Sequence, residues 1–199
     1  MVVSRRRPRG ETRREILALA ARLLQTRGYH GFSFHHLAEG LGVRTPAVHY
    51  HFPTKADLAA AVLRRFRDDF AWWREQPTLR ALPAHAQMEA FLDLEARYVA
   101  EGKVCPLGMA GVEFASLPPA ACREAQALMH ELRDWLAARL AAAREQGQCT
   151  FAGSAEDTAL AVMAAAQGGL QLARLNGADD FAAVRRALRT ALGGDPSAP

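Results

Sequence analysis

Apolar residues recur along most of this chain at intervals of three and four, the period of one face of an α-helix. Ile16, Leu17, Ala20, Leu23 and Leu24 mark a first helix over about 11–26, which Gly28 stops. Ser33 is placed to cap a short second helix that holds Leu37, Ala38 and Leu41 and breaks at Gly42. Thr45 followed by Pro46 reads as an N-cap with proline at the first helical position, so a third helix is expected from there to about Phe52. Pro53-Thr54-Lys55 punctuates the chain again, and Thr54 caps a fourth helix through Leu58, Val62, Phe66 and Phe70 toward Trp73. Pro77 and Pro83 bound an expected loop, after which Met88, Phe91, Leu92, Glu95 and Tyr98 suggest another helix. The stretch 102–111 is broken by Pro106, and Pro118-Pro119 is a boundary. The longest uninterrupted helix is expected over 120–146, with Leu128, Leu132, Leu136 and Leu140 in its stripe. A last major helix, about 155–175, sets Ala159, Val162, Ala166, Gly169 and Ala173 on related turns. Strand signals are nearly absent, so the expected fold class is all-α.

The 199 residues are 50% hydrophobic and 23% charged, which excludes a collagenous or disordered chain. Every apolar run is cut by Arg, Glu or Gln before the roughly 18 residues a membrane span needs, so no membrane association is expected. The basic start is not followed by an apolar segment, so a cytoplasmic location is expected. Cys105, Cys122 and Cys149 form no CxxC pair and suggest neither a disulfide framework nor a zinc site. There is no GxSxG, phosphate-binding glycine run or HExxH. Binding rather than catalysis is the expectation, with no cofactor and no metal.

Charge is unevenly placed. Residues 1–60 carry ten Arg or Lys against four Asp or Glu, a net +6, and the remainder carries 15 against 17, a net −2. Five of the seven histidines lie in the positive part. This is the electrostatic footprint of a nucleic-acid-binding head on a neutral or acidic body. Within the head, Ala38, Gly42 and Val48 have helix-turn-helix spacing: a small residue where two helices cross, a glycine for the positive φ of the turn, and an apolar plug for the recognition helix.

The run Glu11 to Leu58, above all Gly28-Tyr29, Leu37-Ala38, Gly42-Val43 and Tyr50-His51-Phe52-Pro53-Thr54-Lys55-Ala56-Asp57-Leu58, resembles the N-terminal domain of TetR/AcrR-type bacterial transcriptional regulators. Pro46 and His49 depart from that family's usual residues. The resemblance implies an all-helical homodimer in which each head reads half of a palindromic operator in double-stranded DNA, and each body holds a small-molecule effector pocket and the dimer interface. The expected organisation is a basic flexible arm over 1–10, a helix-turn-helix domain over 11–60, a ligand-binding and dimerisation domain over 61–193 and a disordered tail over 194–199.

A recognition helix enters the major groove with its N-terminal side chains at base edges. Arg44 is the candidate for bidentate contact with guanine, and Pro46 or Ala47 for a thymine methyl. His49 and His51 are candidates for bases or phosphates, and Ser33, Thr45, Tyr50 and Lys55 for phosphate oxygens. The arm around Arg5, Arg6, Arg7 and Arg9 either lies along the minor groove or adds nonspecific affinity. His35, His36, His49 and His51 read as solvated or capping residues rather than metal ligands.

In the body, Phe70, Trp72, Trp73, Phe91, Tyr98, Met109, Glu113, Phe114, Trp135, Gln167 and Gln171 are candidate pocket residues. Glu113 is singled out because a carboxylate amid apolar neighbours is costly to bury without a partner or a cationic ligand. Leu128, Leu132, Leu136, Ala159, Val162 and Ala166 are the candidate dimer interface. The segment Gly102 to Gly108 resembles that of electrophile-sensing members of the family, which makes Cys105 a redox candidate, with Lys103 as a group that would lower its pKa. In those relatives a lysine partners the sulfur, and Arg174 stands at the matching place here. A buried, inert thiol is the other reading of Cys105. Release of a repressor by a small molecule is the first expectation, and a switch by modification of Cys105 the alternative.

Overall fold

The computed structural model describes residues 9–193, and among these the regular structure is helical throughout. Residues 1–8 of the expected arm and the C-terminal tail lie outside the described residues, and the arm's last two positions, the backbone of Arg9 and Gly10, open the first helix instead. Helix α1 (Arg9–Arg27) is followed by α2 (Phe34–Leu41), α3 (Thr45–His51) and α4 (Lys55–Arg74). Then come α5 (Pro77–Arg80), α6 (Ala84–Ala100), α7 (Pro106–Val112), α8 (Pro119–Glu145), α9 (Ala155–Asn176) and α10 (Ala178–Ala191).

The first four helices form where the apolar period and the caps place them. Ser33 precedes α2, and its backbone N–H donates to the His36 ring at 3.0 Å. Gly42 takes φ +63°, which lets its own N–H reach Glu39 O at 3.1 Å and the Val43 N–H reach Ala38 O at 2.9 Å. That pair of bonds satisfies the last carbonyls of α2 and turns the chain sharply into α3. Arg44, not Thr45, is the N-cap of α3, so Thr45 and Pro46 occupy its first two positions. Thr54 and Asp57 cap α4 reciprocally, each backbone N–H donating to the other's side chain at 3.1 Å.

Three short or late helices were not evident in the sequence pattern. Pro77 and Pro106 begin helices rather than ending them, since a ring that lacks an N–H costs nothing in a first turn. Gly177, at φ +113°, separates α10 from α9, so the chain folds back on itself instead of running out as loop.

Two apolar cores result. One holds Ile16, Leu24, Leu37, Val48, Leu58 and Val62, and extends into the body through Met109, Ala110, Leu117 and Ala121. The other packs α4, α6, α8 and α9 around Phe91, Leu132, Leu136, Leu140 and Ala166. The expected division at residue 60 falls in the second turn of α4, which runs on unbroken into the body. Arg67 of α4 ties it to α8 by pairing with Glu124 and Glu131.

The expected dimer residues need correction. Leu128, Leu132, Leu136, Ala159, Val162 and Ala166 are all buried inside the protomer. Within the protomer α8 packs on α4, α6 and α9, and α9 on α8, α6 and α10, with Val162 on the α10 side, because a long stripe of leucines meets its own chain first. The outward side of α9 carries Leu160 (46% exposed), Leu172 (47%) and Leu175 (81%), with Ala161, Ala164 and Gly168 between them. No described helix is long and apolar enough to cross a membrane.

Candidate nucleic-acid interface and effector cavity

The turn at Gly42 and the buried plug Val48 fix α3 against α1 and α2 with its other side outward. Arg44, Pro46, His49 and Tyr50 are exposed, Tyr50 at 67%, and Thr45, Ala47 and His51 are half-buried on the flanks. Ser33 lies exposed at the start of α2. His49 is steadied by edge-on packing with Phe34, ring centres 4.7 Å apart, and by a 3.3 Å contact of Nδ1 with Pro53 O. The structure thus leaves the sequence-predicted DNA set at the surface of the head, exposed or half-buried, with one residue that points elsewhere. Lys55 turns inward: its ammonium donates to Phe32 O and lies over the Tyr29 and Phe32 rings, 4.7 and 4.6 Å from their centres. Burial pushes its pKa down, and the Glu113 carboxylate partly offsets this. The expected phosphate anchor is therefore a strut within the head.

Glu113 belongs to the same strut. It is the C-cap of α7, and its carboxylate accepts the Tyr29 N–H at 2.6 Å, against Gly28 at the end of α1. The partner that a carboxylate in apolar surroundings requires is thus a backbone amide of the head, not a ligand. A second link stands one turn away. The Gln25 side chain donates to Val104 O at 3.0 Å, and the Val104 N–H donates to Gln25 O at 3.0 Å. Two backbone-anchored contacts therefore tie the end of α1 to the segment around α7.

A cavity of about 480 Å³ opens beside this junction, within the size range of small-molecule sites. Ala18, Ala21, Arg22 and Gln25 of α1 form one wall, so the DNA-binding head itself bounds the cavity. Phe70 and Trp73 of α4, Phe91, Glu95 and Tyr98 of α6, Cys105 and Leu107 by α7, and Leu128 and Leu132 of α8 complete it. Trp72, Arg22 and Arg97 stand exposed at the mouth. Trp135 sits behind the aromatic wall, its ring centre 5.4 Å from Trp73 and 6.0 Å from Phe70.

The sequence-predicted pocket residues thus divide. Phe70, Trp73, Phe91 and Tyr98 line this cavity and Trp135 supports it, with Trp72 at the rim. Met109, Glu113 and Gln171 instead line a separate recess between α1, α7 and α9, and Phe114 lies partly exposed beyond α7. Gln167 reaches Cys105 from behind, its Nε2 donating to Sγ at 3.1 Å. Met109 of α7 and Gln171 of α9 face away from the aromatic cavity, a fact of helix orientation that no local pattern encodes.

Sequence reasoning missed Glu95 as a site residue. It is 4% exposed, its Oε1 accepts the Cys105 thiol at 3.6 Å, and its Oε2 is buried with no hydrogen-bond partner. Burial pushes its carboxyl up to about 7, the Cys105 hydrogen bond working weakly the other way. The signal was present: Glu95 falls on the apolar stripe of α6 with Met88, Phe91 and Leu92. Cys105 is buried too, and desolvation first, then the Glu95 charge, push its thiol far above the ordinary value. Lys103 pairs with Glu101 rather than with the sulfur. The redox candidate is a protonated, packed thiol, and the lysine expected to activate it is engaged elsewhere.

A basic three-helix head with an outward recognition helix, joined to a helical body with an aromatic cavity, defines a DNA-binding regulator. The comparisons agree. Residues 16–62 match the family of bacterial regulatory proteins of the tetR type, and residues 81–191 match the tetracyclin repressor-like C-terminal domain. The chain belongs to the TetR family of transcriptional regulators.

Among solved structures, a TetR-family regulator from Agrobacterium tumefaciens superimposes with a TM-score of 0.86 at 27% identity, covering 93% of this chain and 99% of that one. A TetR regulator from Legionella pneumophila gives 0.78 at 27% identity, covering 96% and 100%. The HTH-type transcriptional activator FasR of Mycolicibacterium smegmatis is 34% identical over 93 residues, which span 44% of this chain and 42% of FasR.

Proposed function

We propose that this protein is a homodimeric, effector-responsive repressor that binds a palindromic operator and is released by a small molecule in the aromatic cavity. Cavity geometry carries the reading: the wall contributed by Ala18, Ala21, Arg22 and Gln25 belongs to α1, which shares the head core with Val48 of α3 and packs on α2, the helix that α3 rests on. A ligand entering there meets the head directly. Any change in the tilt of α1 or α4 moves α3, and two heads of a symmetric dimer then no longer match successive major grooves.

Arg44, Thr45, Pro46, Ala47, His49 and Tyr50 are the proposed groove-facing set, with Ser33 and His51 at phosphates. Dimerisation is proposed through the outward side of α9, where the leucines flank small residues that allow close helix approach. With DNA as its partner, the proposed place of action is the cytoplasm.

The name of the FasR relative favours a second reading of sign, in which the same DNA contact activates transcription. Operator selection from a random duplex library, followed by transcription in vitro with and without the protein, separates them. Loss of transcript on addition of protein supports repression, and gain supports activation. Failure to enrich any palindrome sinks the operator reading altogether.

A further inference from the structure

The floor of the aromatic cavity holds an unbalanced charge. Glu95 lines it, and one carboxylate oxygen accepts the Cys105 thiol while the other is buried without a partner. Among the described residues no cationic side chain pairs with it. The bases near the mouth are engaged or solvated: Arg65 pairs with Asp69, Lys103 pairs with Glu101, and Arg22 and Arg97 are exposed. A buried carboxylate with an orphaned acceptor is costly, and the missing component is a donor that also carries positive charge.

The walls match the same chemistry. Phe70, Trp73, Phe91 and Tyr98 line the same cavity as the acid, and aromatic faces attract cations through their quadrupoles. A ligand carboxylate would set a second anion beside Glu95, and a ligand alcohol would satisfy the oxygen but leave the charge. Resting on the effector-cavity reading above, we propose that this cavity takes an organic amine, protonated in water and carrying one apolar or aromatic body, with its ammonium docked against Glu95. The arginines at the mouth disfavour a second positive charge, so a monocation fits better than a dication.

The test compares three probes of one skeleton, naphthylmethylammonium, naphthylmethanol and naphthoate, by titration calorimetry on the full-length protein. Measurements are made at about pH 8, where Glu95 is ionised, and without DNA. The ammonium is expected to bind tightest, by about tenfold or more over naphthoate. Glu95→Gln, which keeps size and shape, is expected to cost the ammonium about tenfold and to change naphthylmethanol by less than about threefold. Equal or tighter binding of naphthoate, no measurable binding of the ammonium, or full retention of ammonium affinity in Glu95→Gln each overturns the inference. A protein that binds the ammonium while its DNA affinity stays unchanged sinks the effector reading and leaves the cavity chemistry standing. Release from DNA by the carboxylate does the reverse.

Discussion

Two buried side chains at the cavity floor set its chemistry, and both have measurable consequences. Burial raises the Glu95 carboxyl from 4.5 to about 7. Between those values the folded chain keeps a proton that the unfolded chain has lost, so stability falls as pH rises through this window. Above it the loss is constant, at about 3 kcal/mol. Glu95→Gln is therefore expected to be more stable than the wild type near pH 8, with the gap closing toward about pH 5, as read by urea unfolding. A variant no more stable at high pH would show that the carboxylate has a partner after all. Cys105 makes a different prediction. Its thiol is buried and held protonated, whereas Cys122 is half-buried, so iodoacetamide should label Cys122 well before Cys105 in the native protein. Peptide mapping by mass spectrometry reads the order, and fast labelling of Cys105 would restore the thiol-switch alternative.

Elements, rather than single residues, connect the cavity to the DNA face. α1 is held to the α7 region by the two-way Gln25–Val104 bonds and by the Tyr29 amide on Glu113, while α4 is held to α8 through Arg67. Coupling between two sites requires an element that both can bias, and α1 meets that requirement because it lines the cavity and carries the head core. Gln25→Ala leaves the Val104 carbonyl short of one donor and is expected to cost about 1–3 kcal/mol of stability. It should also shrink the ratio of DNA affinities with and without a bound effector. Fluorescence anisotropy on a labelled operator measures that ratio, and an unchanged value would remove Gln25 from the route. The turn between α2 and α3 is a second element-level test. At φ +63° Gly42 sits where a Cβ is strained, so Gly42→Ala should lower stability by about 1 kcal/mol and weaken DNA binding.

For the molecule as a whole, charge and symmetry decide behaviour. A net +6 in the first 60 residues should make DNA affinity fall steeply with salt, and the slope of log affinity against log salt counts the phosphates engaged. Arg44→Ala is expected to relax sequence preference at one base pair by about 1–3 kcal/mol, while the salt slope changes little. The outward side of α9 places Gly168 between Ala164 and Leu172. Gly168→Glu would set two buried charges at the proposed dimer seam, so sedimentation should report monomers that still fold and that bind a full palindrome far more weakly. Dimers that persist in this variant would move the interface elsewhere.

The head was legible in the sequence because its determinants are local. Ser33, Gly42, Pro46, Thr54 and Asp57 cap and turn segments within a few residues of themselves, and Val48 completes a core drawn mostly from the same stretch. All-helical class, family and the outward face of α3 followed from that. The body was legible as helices but not as a site. A leucine stripe announces that α8 is buried, yet whether it meets its own chain or a second copy depends on which helices arrive first. That is why Leu128, Leu132 and Leu136 proved internal while α9 kept its apolar outer side. The same reason separates Met109, Glu113 and Gln171 from the aromatic cavity, and gathers Glu95, Cys105 and four aromatic rings from α4, α6 and the start of α7 at one floor. Local capping and periodicity are written in neighbouring residues; the pairing of distant helix faces is a property of how the whole set packs, and only the tertiary structure decided it.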